Sequence, residues 1–421
     1  MNQQVKRRHA ADEPAREALA ALAVEHDLDV FGGRLRRTSS RFCLGVEHGD
    51  YNGTELFGVG TDRFLWVAYK ANDSGRARLV SSNFRDDGVI EFVPGAVPAP
   101  RAAAIAHSWG RFPCGADYVL RRAGLHTGRG FDAVVHGSIP GGGMSRSASL
   151  SLNLLLMMLE VNGLEVEDGL FIVDLAQQLE NDYIGSPCGV LDQTMIYFAR
   201  AGMGTHYRPH DRSIEHVPLG AGAIDFRLIS LDTGTVRPGL EKSTYRIRRA
   251  ECEEAVRRLC EIEPVANLAE IRDPERYRRL EAALRAQSPD LADRLVYIHG
   301  AQRRFDTMLT AWRTGDIATV GAVFRHDGYG LRDLYRISGP ELETMCDIAR
   351  TVPGVLGERM LGGGDKGASG AIVEAAAVDA LRAAVDRLYP ERHPDLAGKH
   401  AVHACALVDG IAVLDGLRNP H

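Results

Sequence analysis

Lysine is scarce in this 421-residue chain. It occurs only at Lys6, Lys70, Lys242, Lys366 and Lys399, so 45 of the 50 basic residues are arginine. Together with abundant alanine and glycine, the skew points to a GC-rich genome and not to a binding face. Positive charge is not in excess either. The net charge of −6 lacks the basic balance expected for a nucleic-acid or anionic-membrane partner. Paired cysteines are missing. Cys43, Cys114, Cys188, Cys252, Cys260, Cys346 and Cys405 are odd in number, scattered and without a CxxC pair, which argues against a disulfide framework or a zinc site. Reduced thiols in a cytosol are expected. The longest apolar run, "LNLLLMMLEV", is too short to span a bilayer. The stretch "MNQQVKRRHAADEPAREALA" has no apolar signal core. A cytoplasmic protein with no membrane or nucleic-acid partner is the expectation. Against these absences stands a hydrophobic content of 45%, ample for packed cores in two or three domains.

Strands and helices are mixed along the whole chain. A helix is expected from Asp12 to Asp27. "FLWVAYKA", "GVIEFVPG" and "GFDAVVHGSIP" have the β-branched and aromatic content of strands bounded by turns. Helices are expected over Ser147–Val161 and Leu170–Tyr183. A strand ends near Leu231, a basic helix begins near Ser243, and helical patterns continue to about Ala349. Strand, glycine turn, strand and a closing helix follow. This predicts two α+β domains, divided near residue 215 into 1–215 and 216–421.

Three stretches carry chemistry. In "PGGGMSRSASL", Pro140 to Leu150, a strand runs through glycines into a helix start. Glycine backbone N–H groups and a helix N-terminus together make an anion site. The stretch is neither a Walker loop nor GxGxxG, and a plain turn before a core helix has the same spacing. In "LENDYIGSPCGVLDQTM", Glu180 and Asp192 flank a glycine-containing turn. Two carboxylates near phosphate suit Mg²⁺ binding and activation of an attacking hydroxyl; a solvated helix end and a helix cap would look alike. In the third stretch, Arg41, Glu47, His48 and Asp50 crowd an Asn52-Gly53 turn. That pattern suits sugar hydroxyls, or an ordinary polar hairpin; ligand-spaced His and Cys for a metal are lacking.

Taken in order, the stretches resemble the galactokinase branch of the GHMP small-molecule kinases. "SRFCLGVEHGDYNGT" (Ser40–Thr54) is similar to that family's GRxNLIGEHTDYNGG. "PGGGMSRSASL" is similar to PxGxGLSSSAAL, and "LGGGDKGASG" (Leu361–Gly370) to a GGGFGG-type loop. "ENDYIGSPCGVLDQ", "STYRIRRAECEEA" and "GLRDLYRISGPELETM" follow further family stretches, so the likeness runs from about Arg37 to the end. The resemblance implies a two-domain GHMP kinase fold, with a left-handed βαβ unit in the N-terminal domain and a ferredoxin-like C-terminal domain. It implies ATP, Mg²⁺ and phosphoryl transfer to the anomeric hydroxyl of a small-molecule sugar by a monomer or homodimer. By position, Asp192 and Arg41 match the catalytic pair. Gly141, Gly142, Gly143, Ser145, Ser147 and Ala148 match the nucleotide loop. Glu180 with Ser147 matches the metal site, and Glu47, His48, Asp50, Gly189 and Tyr245 match sugar contacts.

The departures raise a question of substrate. Arg146 stands where the family has serine, and Asp365-Lys366 replaces an aromatic-glycine pair. Val46 replaces a glycine and Cys43 an asparagine. Gly49 replaces threonine and Gly58 a usual proline, which removes bulk. A planar guanidinium suits phosphate or carboxylate. Arg146 and Lys366 are therefore expected to bind an acceptor larger or more anionic than galactose, a heptose or octose phosphate ahead of a uronic acid. Contact with ATP phosphates or solvent is the alternative. An ordinary galactokinase and a sugar sensor without turnover remain further alternatives.

Overall fold

The computed structural model describes residues 8–235 and 244–419. The N-terminal half is α1 (Asp12–Glu25), β1 (Arg34–Gly45), β2 (Leu56–Asn72), β3 (Ala77–Ser81), β4 (Ile90–Phe92), α2 (Arg111–Arg122), β5 (Gly130–Gly137), α3 (Arg146–Val161), α4 (Gly169–Gln178), α5 (Leu191–Tyr197), β6 (Met203–Arg208) and β7 (Ser213–Pro218). The remainder is β8 (Phe226–Asp232), α6 (Thr244–Cys260), α7 (Pro274–Gln287), α8 (Pro289–Thr314), α9 (Ile317–Asp333), α10 (Pro340–Arg350), β9 (Val355–Met360), β10 (Ala368–Glu374), α11 (Val378–Arg392), β11 (Ala401–Cys405) and β12 (Ile411–Asp415).

The first sheet runs β12-β1-β2-β5-β3-β4, with β6 on the start of β2 and β7 on β6. Within it β3 and β5 are parallel, and every other pair is antiparallel. Every residue of β1 after Arg34 is buried. That is why "LRRTSSRFCLG" lacks a clean in–out alternation: α1 covers one face and α3 the other. Arg36 and Arg37 are accommodated there because each reaches an acid, Glu160 and Asp12 respectively. Helix α3 is apolar almost all round, as a helix enclosed on every side must be, and buries Leu152, Leu154, Leu155, Met157 and Met158.

The second sheet runs β11-β8-β10-β9, all antiparallel. The chain order β8, helices, β9, β10, α11, β11 is the β-α-β-β-α-β arrangement of a ferredoxin-like unit. Ile229, Leu231, Ala371 and Val373 of this sheet pack against Met345 and Ile348 of α10 and Leu381 and Val385 of α11. The chain thus has the mixed α+β, two-sheet fold expected.

Several boundaries differ from expectation. The change of sheet comes between Pro218 and Phe226, near the division expected at residue 215, and the closing strand β12 returns to pair with β1. Strands β1, β3, β6, β7, β11 and β12 are not among those expected. The helix expected to end at Tyr183 gives way after Gln178 to a wider, π-helical turn over Leu179–Ile184. Ser243, the expected start of the basic helix, lies outside the described residues. All seven cysteines are free thiols. Among the described residues no helix is long and apolar enough to cross a membrane.

Candidate active site

Strand β5 delivers the chain to a loop that ends where α3 begins. Gly143 (φ +75°) and Ser145 (φ +59°) both take the left-handed region, unusual for serine. Gly142 has no room for a side chain: a Cβ there would lie 2.4 Å from Gly367 Cα. The C-terminal glycine loop therefore packs backbone to backbone on the first. The Ser145 hydroxyl is buried and has no hydrogen-bond partner among the described residues. A bare backbone, a helix N-terminus and an unpartnered hydroxyl are what phosphate oxygens need, so these residues fit the phosphates of a nucleotide. Gly141, Gly142, Gly143, Ser145 and Ser147 line a cavity of about 410 Å³. Ala148 does not; its side chain is packed in the core.

The two acids flank the same cavity. Arg41 on β1 is 1% exposed and joins three segments. Its Nε lies 2.8 Å and its Nη2 2.7 Å from Asp192 Oδ1, and its Nη1 donates to Gly143 O at 2.7 Å. Burial works against its charge, but Asp192 and Glu47 outweigh that and hold its pKa above the ordinary value. Asp192 stands in the first turn of α5 and is open to the cavity; its Oδ2 takes no hydrogen bond among the described residues. Glu180 sits in the π-helical turn, 4% exposed, so the picture of a solvated helix end does not hold. Gln193 donates to its Oε1 at 3.1 Å and Ser147 bonds its carboxyl. Burial, reinforced by Asp192, pushes it up to about 7. A buried carboxyl that resists ionisation is the kind that a cation relieves. Among the described residues no three His, Cys, Asp or Glu side chains converge as a metal site. Glu180 with Ser147 fits Mg²⁺, which binds through one or two carboxylates plus substrate phosphates.

At the opposite end Asp50 accepts N–H bonds from Leu191 (3.1 Å) and Tyr51 (3.0 Å). Burial nevertheless holds its carboxyl up to about 6, with Asp192 adding to the shift. Gly189 packs on it so closely that a Cβ would fall 1.8 Å from Asp50 Oδ2. His48 Nδ1 is 2.8 Å from the Tyr51 hydroxyl, which reaches Tyr335 at 2.7 Å. The rings of His48 and Tyr245 lie 5.2 Å apart. Glu47 serves more as a clamp: it accepts from Gly362 N at 2.8 Å and lies 3.1 Å from Arg359 Nη1. Donors and acceptors are thus fixed around a concave surface, as recognition of hydroxyl groups requires.

The expected extra room is absent. A Cβ on Gly49 would lie 1.9 Å from Thr54 Oγ1, so Thr54 fills the space a threonine at 49 would take. The motif has exchanged small and large residues across one turn. At Gly58 a Cβ would meet Phe42 O at 2.8 Å and Met195 Sδ at 3.0 Å. Gly49→Thr alone is expected to cost about 1–3 kcal/mol by overpacking, and Gly49→Thr with Thr54→Gly to recover most of it. Paired thermal melts check this; equal melting of single and double variants would contradict it.

The two cations are not at the acceptor end either. Lys366 does not line the cavity; its Nζ lies 3.5 Å from Glu341 Oε1. Arg146 does line it, but its guanidinium stands over the Phe84 ring, 5.6 Å from the centroid. Burial pushes its pKa down, with the Asp232 carboxylate opposing. Phe84 belongs to an end of the cavity that the sequence did not disclose, walled by Leu65, Ser81, Asn83, Phe112 and Val135. The signal was the strand "ARLVS", whose half-buried arginine, paired with Asp132, interrupts its apolar run.

The fold and its glycine loop define a small-molecule kinase of the GHMP class: residues 112–200 match the GHMP kinases N terminal domain. Similarity to individual proteins extends over nearly the whole chain. A galactokinase from Exiguobacterium sibiricum is 32% identical over 350 residues, covering 83% of this chain and 86% of that one. A galactokinase from Streptomyces coelicolor is 32% identical over 376 residues, covering 88% and 93%. The crystal structure of Lactococcus lactis galactokinase complexed with galactose matches with a TM-score of 0.83 at 27% identity, covering 95% of this chain and 100% of that one. The chain belongs to the galactokinase family. It is a sugar kinase, a phosphotransferase with an alcohol group as acceptor, and the family implies ATP as its phosphate donor.

Proposed function

We propose that the protein converts galactose to galactose 1-phosphate with Mg-ATP. The observation that carries the reading is the Arg41–Asp192 pair between the glycine loop and the Asp50–His48–Tyr245 cluster. Bound Mg-ATP supplies the transferable phosphoryl group and the metal charge that offsets its oxygens. Asp192 accepts the C1 hydroxyl proton, or holds that hydroxyl in line, through its unengaged oxygen. Arg41 keeps Asp192 oriented and offsets negative charge as it develops. Asp50, His48 and Tyr245 position the sugar, Glu47 ties the first motif to the C-terminal loop, and Glu180 with Ser147 holds Mg²⁺.

A neutral hexose is favoured over a heptose or octose phosphate or a uronate. The case for those acceptors rested on Arg146, Lys366, Gly49 and Gly58. Lys366 is paired outside the cavity, Arg146 faces Phe84, and the other two positions are filled by neighbours. Phosphorus NMR of the product tests the proposal: a sugar 1-phosphate resonance that depends on galactose is expected, and phosphate on any other carbon overturns it.

Two further results are expected. Glu180→Gln raises the Mg²⁺ concentration needed for half-maximal rate by about tenfold, the scale of one lost charged contact; an unchanged titration removes Glu180 from the metal site. The second concerns pH. The folded pKa of Asp50 lies above its ordinary value, at about 6, so the site holds a proton that must leave before an ionised Asp50 can receive sugar hydroxyls. With Mg-ATP saturating, so that the cation keeps Glu180 ionised, kcat/KM for galactose therefore rises with pH through about 6 and levels above it. Asp50→Asn abolishes that limb, and a wild-type profile flat from pH 5 to 7 would contradict the role.

A further inference from the structure

Arg146 is the largest chemical departure in the phosphate loop, and its surroundings say what it lacks. Its side chain makes no hydrogen bond and no ion pair among the described residues, although five N–H donors line a cavity. Elsewhere among the described residues the half-buried and buried guanidinium groups are engaged. Arg36 meets Glu160, Arg37 meets Asp12, Arg304 meets Asp327 and Arg325 meets Glu358. Asp232, the acid nearest in effect, is itself occupied by the N–H of Gly234 and lies beyond ion-pair distance. A partly buried guanidinium without a counter-ion is costly unless something supplies one.

Its position narrows what that is. Arg146 opens α3 between Ser145, whose hydroxyl is unpartnered, and Ser147, which bonds Glu180. Its other side is the Phe84 end of the cavity. A nucleotide with its base at that apolar end and its terminal phosphate on the glycine loop carries its ribose-proximal phosphate past this guanidinium. We propose that Arg146 is a nucleotide-binding residue, holding the ribose-proximal phosphate through charge-assisted hydrogen bonds. This rests on the kinase reading of the same cavity. Because the ribose-proximal phosphate keeps its charge through transfer, unlike the one that becomes the leaving group, the contact stabilises ground state and transition state alike. It acts on KM for ATP and on the affinity for ADP, and little on kcat.

Calorimetry on the full chain without sugar tests this, using Mg-ADP and adenosine as probes. Arg146→Ser, which restores the family residue, is expected to weaken Mg-ADP binding tenfold or more, roughly the loss for a charged contact, and adenosine by less than twofold. Arg146→Lys is expected to recover part of the loss, as a point charge without the fork. In turnover, KM for ATP rises while KM for galactose and kcat stay within about twofold. Unchanged Mg-ADP affinity overturns the proposal. So does an equal loss for adenosine, which would make Arg146 a prop for the base through Phe84. Lower melting of both Arg146→Ser and Asp232→Asn with intact ADP binding would make the pair structural. A wild-type chain that binds no ADP at all refutes the kinase reading itself, a result distinct from any of these.

Discussion

Asp192→Asn lowers kcat by about 10²-fold or more while Mg-ADP affinity stays within twofold, the loss being that of a general base. The substitution keeps shape and removes charge. Asparagine's oxygen can still accept from Arg41, which lies against Oδ1 alone, so the joint between β1, the glycine loop and α5 has reason to survive. What disappears is the basic lone pair on the other oxygen. An effect on kcat without one on nucleotide binding separates chemistry from scaffold. Near-normal kcat in this variant removes Asp192 from the reaction and leaves Arg41–Asp192 as a structural pair.

Gly189→Ala raises KM for galactose by about 10²-fold, on the scale of two lost charged contacts, and leaves Mg-ADP binding within twofold. The methyl group would stand 1.8 Å from Asp50 Oδ2, far inside any contact distance, so Asp50 or the turn must move. Asp50 is held by the N–H of Leu191, one residue before Asp192, and by that of Tyr51. Moving it disturbs the acceptor end first. The segment is stiff: the side chain of Asn181 bonds both the N–H (2.6 Å) and the carbonyl (3.1 Å) of Cys188. A galactose KM unchanged in Gly189→Ala would show that Asp50 does not position the sugar.

The parts of this site that could be read in the sequence are those whose chemistry is local. Glycines before a helix start, Glu180 and Asp192 twelve positions apart across a turn, and the Glu47–His48–Asp50 cluster each lie within one short stretch, and the structure gathers them into one cavity. The misreadings concern where a side chain goes once distant segments meet. Arg146 looked like an acceptor contact until Phe84, from the turn after an unrecognised strand, was placed under it. Lys366 looked free to bind until Glu341 of α10 came beside it. Gly49 looked like a vacancy although Thr54, five positions on, fills it; only the fold of the turn brings the two together. For Glu180 the spacing left a solvated helix end open, because the π-helical turn that tucks it inward has no spacing signature of its own. In the same way nothing local in the sequence of β12 shows its return to β1.

The most direct measurement of the central claim is ADP release from Mg-ATP across an acceptor panel of galactose, galacturonate, a heptose 7-phosphate and an octose 8-phosphate. Rapid turnover of galactose is expected, with kcat/KM for each anionic acceptor at least about tenfold lower, the cost of leaving one charge without a partner. Turnover confined to an anionic or longer sugar would contradict the account and return Arg146 to the acceptor. Binding of galactose and ATP with no turnover of any sugar would contradict it more deeply, leaving a sugar sensor on a kinase fold.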